Sequence, residues 1–174
     1  MKQVLLYIIL LLFTSTLYAK SVTETLGDVL SIAIPLSAYG TTLYLDDKEG
    51  QMQFYKSYGA TLVTTNVLKY TVREKRPDSE DRDSFPSGHT SSAFAGASYI
   101  HMRYGYKLAI IPYLAAIYTG YSRVYANKHH PIDVYVGAAI GMLSSWYFVS
   151  PYKNLQVMPI VESDFKGVSL SYRW

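Results

Sequence analysis

Arg73-Glu74-Lys75-Arg76-Pro77-Asp78-Ser79-Glu80-Asp81-Arg82-Asp83-Ser84-Phe85-Pro86-Ser87-Gly88 is the stretch that organises this chain of 174 residues. It is charged, carries two prolines and separates two segments that read as helices. Structureless loops of that length inside a compact domain are usually functional or disordered. Before it, Phe54 to Tyr70 reads as an amphipathic helix. After it, a helix runs from His89 to about Arg103, with Ala93, Ala95, Gly96, Ala97 and Ser98 small enough for close packing. Further out, Leu26 to Leu45 reads as a buried helix with a kink expected at Pro35. Asp46-Asp47-Lys48-Glu49-Gly50 then reads as a solvated turn. Lys107 to Tyr121 and Pro131 to Phe148 complete an all-α bundle of five helices, or six with the N-terminal segment.

The two ends differ in kind. Met1-Lys2-Gln3 is a short positive start, Val4 to Phe13 is ten unbroken apolar residues, and the chain turns small and polar before Ala19. This is the pattern of a secretory signal peptide cut after Ala19, or of an anchor helix left in place, given the poor fit of Leu17 to a cleavage site. Residues 20–150 then form the bundle. In residues 151–174, Val168, Leu170, Tyr172 and Trp174 alternate with Ser169, Ser171 and Arg173, the period of a strand with one buried face. Leu155 to Val161 is its expected partner and Asp164-Phe165-Lys166-Gly167 the turn, giving a small β-hairpin packed on the bundle.

Bulk properties exclude several functions. A net charge of +3, with no dense basic run, gives no reason to expect nucleic acid. With no cysteine, thiol chemistry and disulfides are absent. Mean hydropathy is only +0.06, and the helical segments are near or below the ~20 residues of a membrane span. The expectation is a compact bundle at or in the membrane. If the helices span it, the loops Tyr70–Gly88 and Val124–His130 share the outer side, and the turn with Arg103 and Lys107 faces the cytoplasm.

Chemistry concentrates in three fragments: Lys69-x6-Arg76-Pro77, Pro86-Ser87-Gly88-His89 and Ser122-Arg123-x5-His129-x3-Asp133. Each is weak alone. Together, in this order within 65 residues, they supply cations, two imidazoles, a carboxylate and a glycine turn opening a helix, which is equipment for holding and attacking a phosphate without a metal. Pro131 suits the first position of a helix, so Asp133 falls in its first turn, where the helix dipole favours the ionised form. A carboxylate there can hold one nitrogen of an imidazole and leave the other to act as nucleophile. A second imidazole, His89, can protonate a departing alkoxide. Gly88 would allow the tight turn before it, and Ser87 can donate a hydroxyl.

This combination resembles the signature of the type 2 phosphatidic acid phosphatase superfamily, which also holds bacterial acid phosphatases and vanadium-dependent haloperoxidases. The resemblance runs from about Lys69 to Gly141. It implies that His129, rather than the adjacent His130, is the nucleophile, since only His129 has Asp133 four residues on. It also implies that His89 is the general acid. Among many cations, including Arg73, Lys75 and Arg82, the family spacing selects Lys69, Arg76 and Arg123 as the phosphate clamp, with Ser87 and Gly88 beside them. Asp78, Glu80, Asp81 and Asp83 lack the spacing of a calcium loop and read as a solvated rim paired with basic residues; His101 receives no role. No metal and no cofactor are expected. The implied activity is metal-independent hydrolysis of phosphomonoesters or pyrophosphates on membrane lipids, through a phosphohistidine, at a periplasm-facing site in the bacterial envelope. Rival readings are a soluble periplasmic acid phosphatase, a vanadium haloperoxidase and a non-catalytic binder of phosphorylated lipid.

Overall fold

A computed structural model describes the backbone of residues 2–152, 155–161 and 166–172, with side chains described over 22–152 and 167–169. It contains five helices: α1 (Lys2–Tyr44), α2 (Lys48–Val72), α3 (Gly88–Tyr104), α4 (Tyr106–Tyr125) and α5 (Pro131–Phe148). Strands β1 (Leu155–Val161) and β2 (Lys166–Tyr172) pair antiparallel, Leu155 facing Tyr172 and Val161 facing Lys166. The all-α bundle with a terminal hairpin is therefore as the sequence reads. Lys166 and Gly167 belong to β2 rather than to a turn; Asp164, Phe165 and Trp174 lie outside the described residues.

Two boundaries differ from expectation. The N-terminal segment and the first core helix form one helix, unbroken through Pro35, so the described residues hold five helices, the lower of the two counts expected. Asp46 to Gly50 is solvated only in part: Asp46, Lys48 and Glu49 are exposed, whereas Asp47 and Gly50 are buried. Asp47 is 4% exposed and caps α2, accepting from the Gly50 amide at 2.9 Å, a contact worth about 1 kcal/mol. Its carboxylate also takes a fork from Arg103, with Nε to Oδ2 at 2.7 Å and Nη2 to Oδ1 at 2.6 Å. Tyr104 Oη donates to the same group at 3.0 Å. Arg103 is thus not a free cation on an exposed turn: it is 3% exposed and donates as well to Ser150 O. A desolvated guanidinium holds its place only with a paired anion and its N–H groups satisfied.

α3 is the central rod and touches all four other helices. Its small residues let backbones approach. A Cβ on Gly96 would lie 2.7 Å from the Pro35 backbone of α1, and one on Gly141 of α5 would lie 2.5 Å from Ser91 O. Beside an apolar core, many small polar residues are buried and much of the exterior is apolar. Thr42, Ser57, Thr61, Thr65, Thr90, Ser98, Thr119 and Ser145 are buried, while Ile32, Leu36, Val63, Ile111, Leu114, Leu143 and Trp146 are exposed. Small polar residues between helices and large apolar ones outside are compatible with a bundle packed in lipid. By length and apolarity, one described helix segment, Val22–Tyr44, qualifies to cross a membrane.

Candidate active site

The site forms at one end of the bundle, where α2 and α4 stop and α3 and α5 begin. α2 ends because Arg73 turns left-handed (φ 53°), its amide bonding to Lys69 O. This leaves Lys69 in the last turn with Nζ donating to the carbonyl of Asp83. Arg76, in the loop, forks onto the Asp83 carboxylate with Nε to Oδ1 at 2.6 Å and Nη2 to Oδ2 at 3.1 Å. One residue therefore positions two cations. The Arg76 guanidinium in turn holds the Asp83 carboxyl below the usual carboxylate range. Two cations against one carboxylate leave an excess positive charge. Farther along the rim, Asp78 pairs with Lys128 and Glu80 with Lys75.

Ser87 caps α3. Its fully buried hydroxyl accepts from the Thr90 amide at 3.4 Å and from the Thr90 hydroxyl at 2.9 Å, so its side chain is committed to the helix start. Gly88 is the first residue of that helix and has no left-handed φ; a Cβ there would face Lys69 Cε at 3.7 Å. The turn is made by the Ser87 cap rather than by glycine freedom, and Gly88 keeps the space beside the lysine open. His89 follows in the first turn.

α4 ends at Tyr125, and Asn127 (φ 63°) reverses the chain. The amides of Lys128 and His129 both bond to Arg123 O, at 2.9 and 3.3 Å, which ties Arg123 and His129 to one turn. α5 starts on Pro131, and Asp133 in its first turn is fully buried. Asp133 Oδ2 accepts from the His130 amide at 2.9 Å and the Ser84 hydroxyl at 2.5 Å, and faces His129 Nδ1 at 3.3 Å. These partners assign the Nδ1–H tautomer and leave Nε2 as the nitrogen free to act. Burial, then the charges of Lys69 and Arg76, push His129 down to about 4. The imidazole is consequently neutral at neutral pH, the form that attacks phosphorus.

Arg123, 2% exposed, donates from Nη1 to Asp28 Oδ1 at 2.6 Å, from Nη2 to Glu24 O at 2.5 Å and from Nε to Ser122 Oγ at 3.0 Å. Gly27 makes that approach possible, since a Cβ would lie 1.9 Å from Ser122 Oγ. The same Asp28 oxygen is 3.0 Å from His89 Nε2.

Lys69, Arg76, Gly88, His89 and His129 line one pocket of about 320 Å³, together with Ser31, Ile32, Leu62, Thr65, Asn66, Ser91 and Ser92. Of the residues singled out in the sequence, Asp133 stands behind His129 and Ser87 within the α3 cap. Arg123 lies beyond His89, joined to it through Asp28. A second, apolar cleft of about 190 Å³ shares Ile32 with the pocket and is lined by Pro35, Leu36, Tyr39, Phe54, Tyr55 and Tyr58 of α1 and α2. Three contributors escape motif reading: Asp83, Ser84 and Asp28. The first two adjoin the Pro-Ser-Gly-His fragment. Asp28 had its own signal, being the one charged residue in the apolar run from Leu26 to Leu45, where a carboxylate is costly unless it has a partner or a task. His130 caps α5 with a half-exposed ring, and His101 bonds Tyr113 at 3.2 Å.

The pocket can therefore hold an anion against fixed cations and present a neutral imidazole to it. Comparisons with known proteins give the family. Residues 51–156 match the model of the PAP2 superfamily. The lipid A 4'-phosphatase of Helicobacter pylori is 32% identical, over 87% of this chain and 85% of its own. The lipid A 1-phosphatase of Porphyromonas gingivalis is 38% identical over 51% of this chain, which spans only 23% of that larger protein. The crystal structure of Aquifex aeolicus LpxE superposes with a TM-score of 0.55 at 26% identity, covering 75% of this chain and 92% of that one. The chain belongs to the PAP2 superfamily.

Proposed function

We propose that this protein is a lipid phosphatase of the bacterial envelope that removes phosphate from a phosphorylated membrane lipid through a phosphohistidine on His129. It is a phosphoric monoester hydrolase. The observation that carries the lipid reading is an apolar cleft between α1 and α2 that adjoins the cationic pocket, the two sharing Ile32 in their walls. A phosphate can sit at Lys69, Arg76, His89 and His129 while its hydrocarbon lies along Pro35, Leu36 and Phe54, against an apolar exterior suited to lipid. Names of the relatives put lipid A first among the substrates to test.

In this reading His129 Nε2 attacks phosphorus and the ester oxygen departs with a proton from His89. Asp133, held by Ser84 and the His130 amide, stabilises the imidazolium that forms. Lys69, Arg76 and Arg123 stabilise charge building on the phosphoryl oxygens, the largest catalytic term in such sites. Water, deprotonated by His89, then releases phosphate from His129.

The length of α1 supports an envelope placement. Its 43 residues correspond to about 65 Å, twice a hydrocarbon core of ~30 Å. Cleavage after Ala19 would leave one membrane length beginning at the site, with the catalytic loops on the periplasmic side. The test uses the full chain in detergent micelles with lipid A, phosphatidic acid and a soluble sugar phosphate. Phosphate release from lipid A exceeding that from the soluble ester, with acid-labile label trapped on His129, is the expected result. Preference for the soluble ester, or label on another residue, overturns the reading.

A further inference from the structure

Arg123 is a buried cation, and a buried charge is tolerable only when paired. In the structure its counter-ion is Asp28. The same carboxylate oxygen, Oδ1, accepts from Arg123 Nη1 at 2.6 Å and meets His89 Nε2 at 3.0 Å. These are two of the groups that the proposed reaction needs for the phosphate and its leaving oxygen. The neighbouring acid cannot do this job, because the Glu24 carboxylate is directed at Lys128, 3.4 Å away. Asp28 has room to leave, its side chain being 47% exposed while that of Arg123 is 3% exposed.

We propose that Asp28 is a resident anion that stands in for phosphate: it closes on Arg123 and His89 in the empty site and competes with phosphate for them. This rests on the phosphatase reading and deepens it. A phosphoryl group arriving beside Asp28 meets like charge and a cation already taken. It binds fully only when the carboxylate swings to solvent, after which phosphate serves as the partner of Arg123. The buried guanidinium is never unpaired, since the two anions take turns. After hydrolysis the return of Asp28 to Arg123 and His89 helps expel inorganic phosphate, which in an open envelope site would otherwise act as a product inhibitor.

The sign of the effect separates this role from a structural one. A residue that merely holds the site together weakens anion binding when changed, whereas a competitor strengthens it. If the Asp28-closed form is populated about ten to one, its removal raises apparent phosphate affinity about tenfold. The experiment measures inhibition by inorganic phosphate, and separately protection against thermal unfolding by inorganic phosphate, for the full chain, Asp28→Asn and Glu24→Gln. Asp28→Asn is expected to bind phosphate about tenfold more tightly. Glu24→Gln, which removes the same charge one helical turn away, is expected to change it less than about twofold. Weaker or unchanged binding by Asp28→Asn, or an equal gain from Glu24→Gln, overturns the proposal. Thermal protection needs no turnover, so a wild-type chain that binds phosphate without hydrolysing lipid phosphate overturns the phosphatase reading while leaving Asp28 under test. A wild-type chain that binds no phosphate overturns both.

Discussion

Two Arg–Asp pairs bracket α3, and they are built for opposite ends. At the far end Arg103 and Asp47 are each about 2% exposed in their side chains, doubly hydrogen-bonded, and further tied to Tyr104 and Ser150 O. At the site end Arg123 is equally buried, but Asp28 is half exposed and shares its contacting oxygen with a histidine. One pair is closed from every side and has only a structural task. The other is closed on one side, so its anion can be exchanged. The lesson is that burial of the arginine is common to both, whereas access to the carboxylate separates an anchor from a binding site.

The deepest cut at the open end is His129→Ala. It should lower turnover by about 10⁴-fold or more, as loss of a covalent nucleophile does. The thermal midpoint should move little, and His130→Ala should keep most activity. Survival of turnover in His129→Ala would sever the open end from the chemistry. His89→Ala is next, costing the ~10²–10⁴ of a general acid on an alkyl phosphate and less on a nitrophenyl phosphate, whose leaving group needs no proton. Equal defects on both substrates, with phosphoenzyme formation limiting, would make His89 a phosphate holder.

The closed end should break differently. Asp47→Ala or Arg103→Ala leaves a buried charge without its partner, at a cost of about 3–5 kcal/mol. The effect should read as a lower thermal midpoint in detergent, with catalytic constants of the surviving folded fraction near those of the parent. A large kinetic defect in that fraction would mean that the far end is coupled to the site. Smaller again is the effect of Ser84→Ala, which removes one of the donors on Asp133 Oδ2. A loss of about 10- to 100-fold is expected, the worth of one hydrogen bond to a charged group.

The finest probe is acidity. In the proposed mechanism His129 works as the free base; it sits at about 4, so activity should be complete above that value and lost as pH falls through it. The acid limb of kcat/KM should therefore lie well below the ordinary imidazole value of about 6.5. Removing a cation with Arg76→Gln should move that limb upward. A parent enzyme whose nucleophile titrates near 6.5 would contradict the burial and the paired cations that set it.

Much of this was legible in the sequence because it is local. The limits of α5 follow from Pro131 and the apolar run to Phe148, and β2 from the alternation of Val168, Leu170 and Tyr172, with β1 read only as its partner. The motif residues fall where caps and turns put them: Ser87 before α3, Arg123 and His129 on either side of one tight reversal, Asp133 four residues on. Local pattern also misled. Asp47 looks solvated because its neighbours are charged, and Gly88 looks like a turn residue because glycine often is.

What only the tertiary structure decided is which charges meet. Arg103 reaches Asp47 across 56 positions, and Arg123 reaches Asp28 across 95. Nothing in the spacing of either arginine names its partner. Helix periods and caps act over a few residues, so the chain can be read for them directly. A desolvated charge, by contrast, takes whichever partner the packing of small residues such as Gly27 and Gly96 brings within hydrogen-bonding distance. Sequence alone determined the elements and the reactive groups; packing determined that one arginine became an anchor and the other an exchangeable site for an anion.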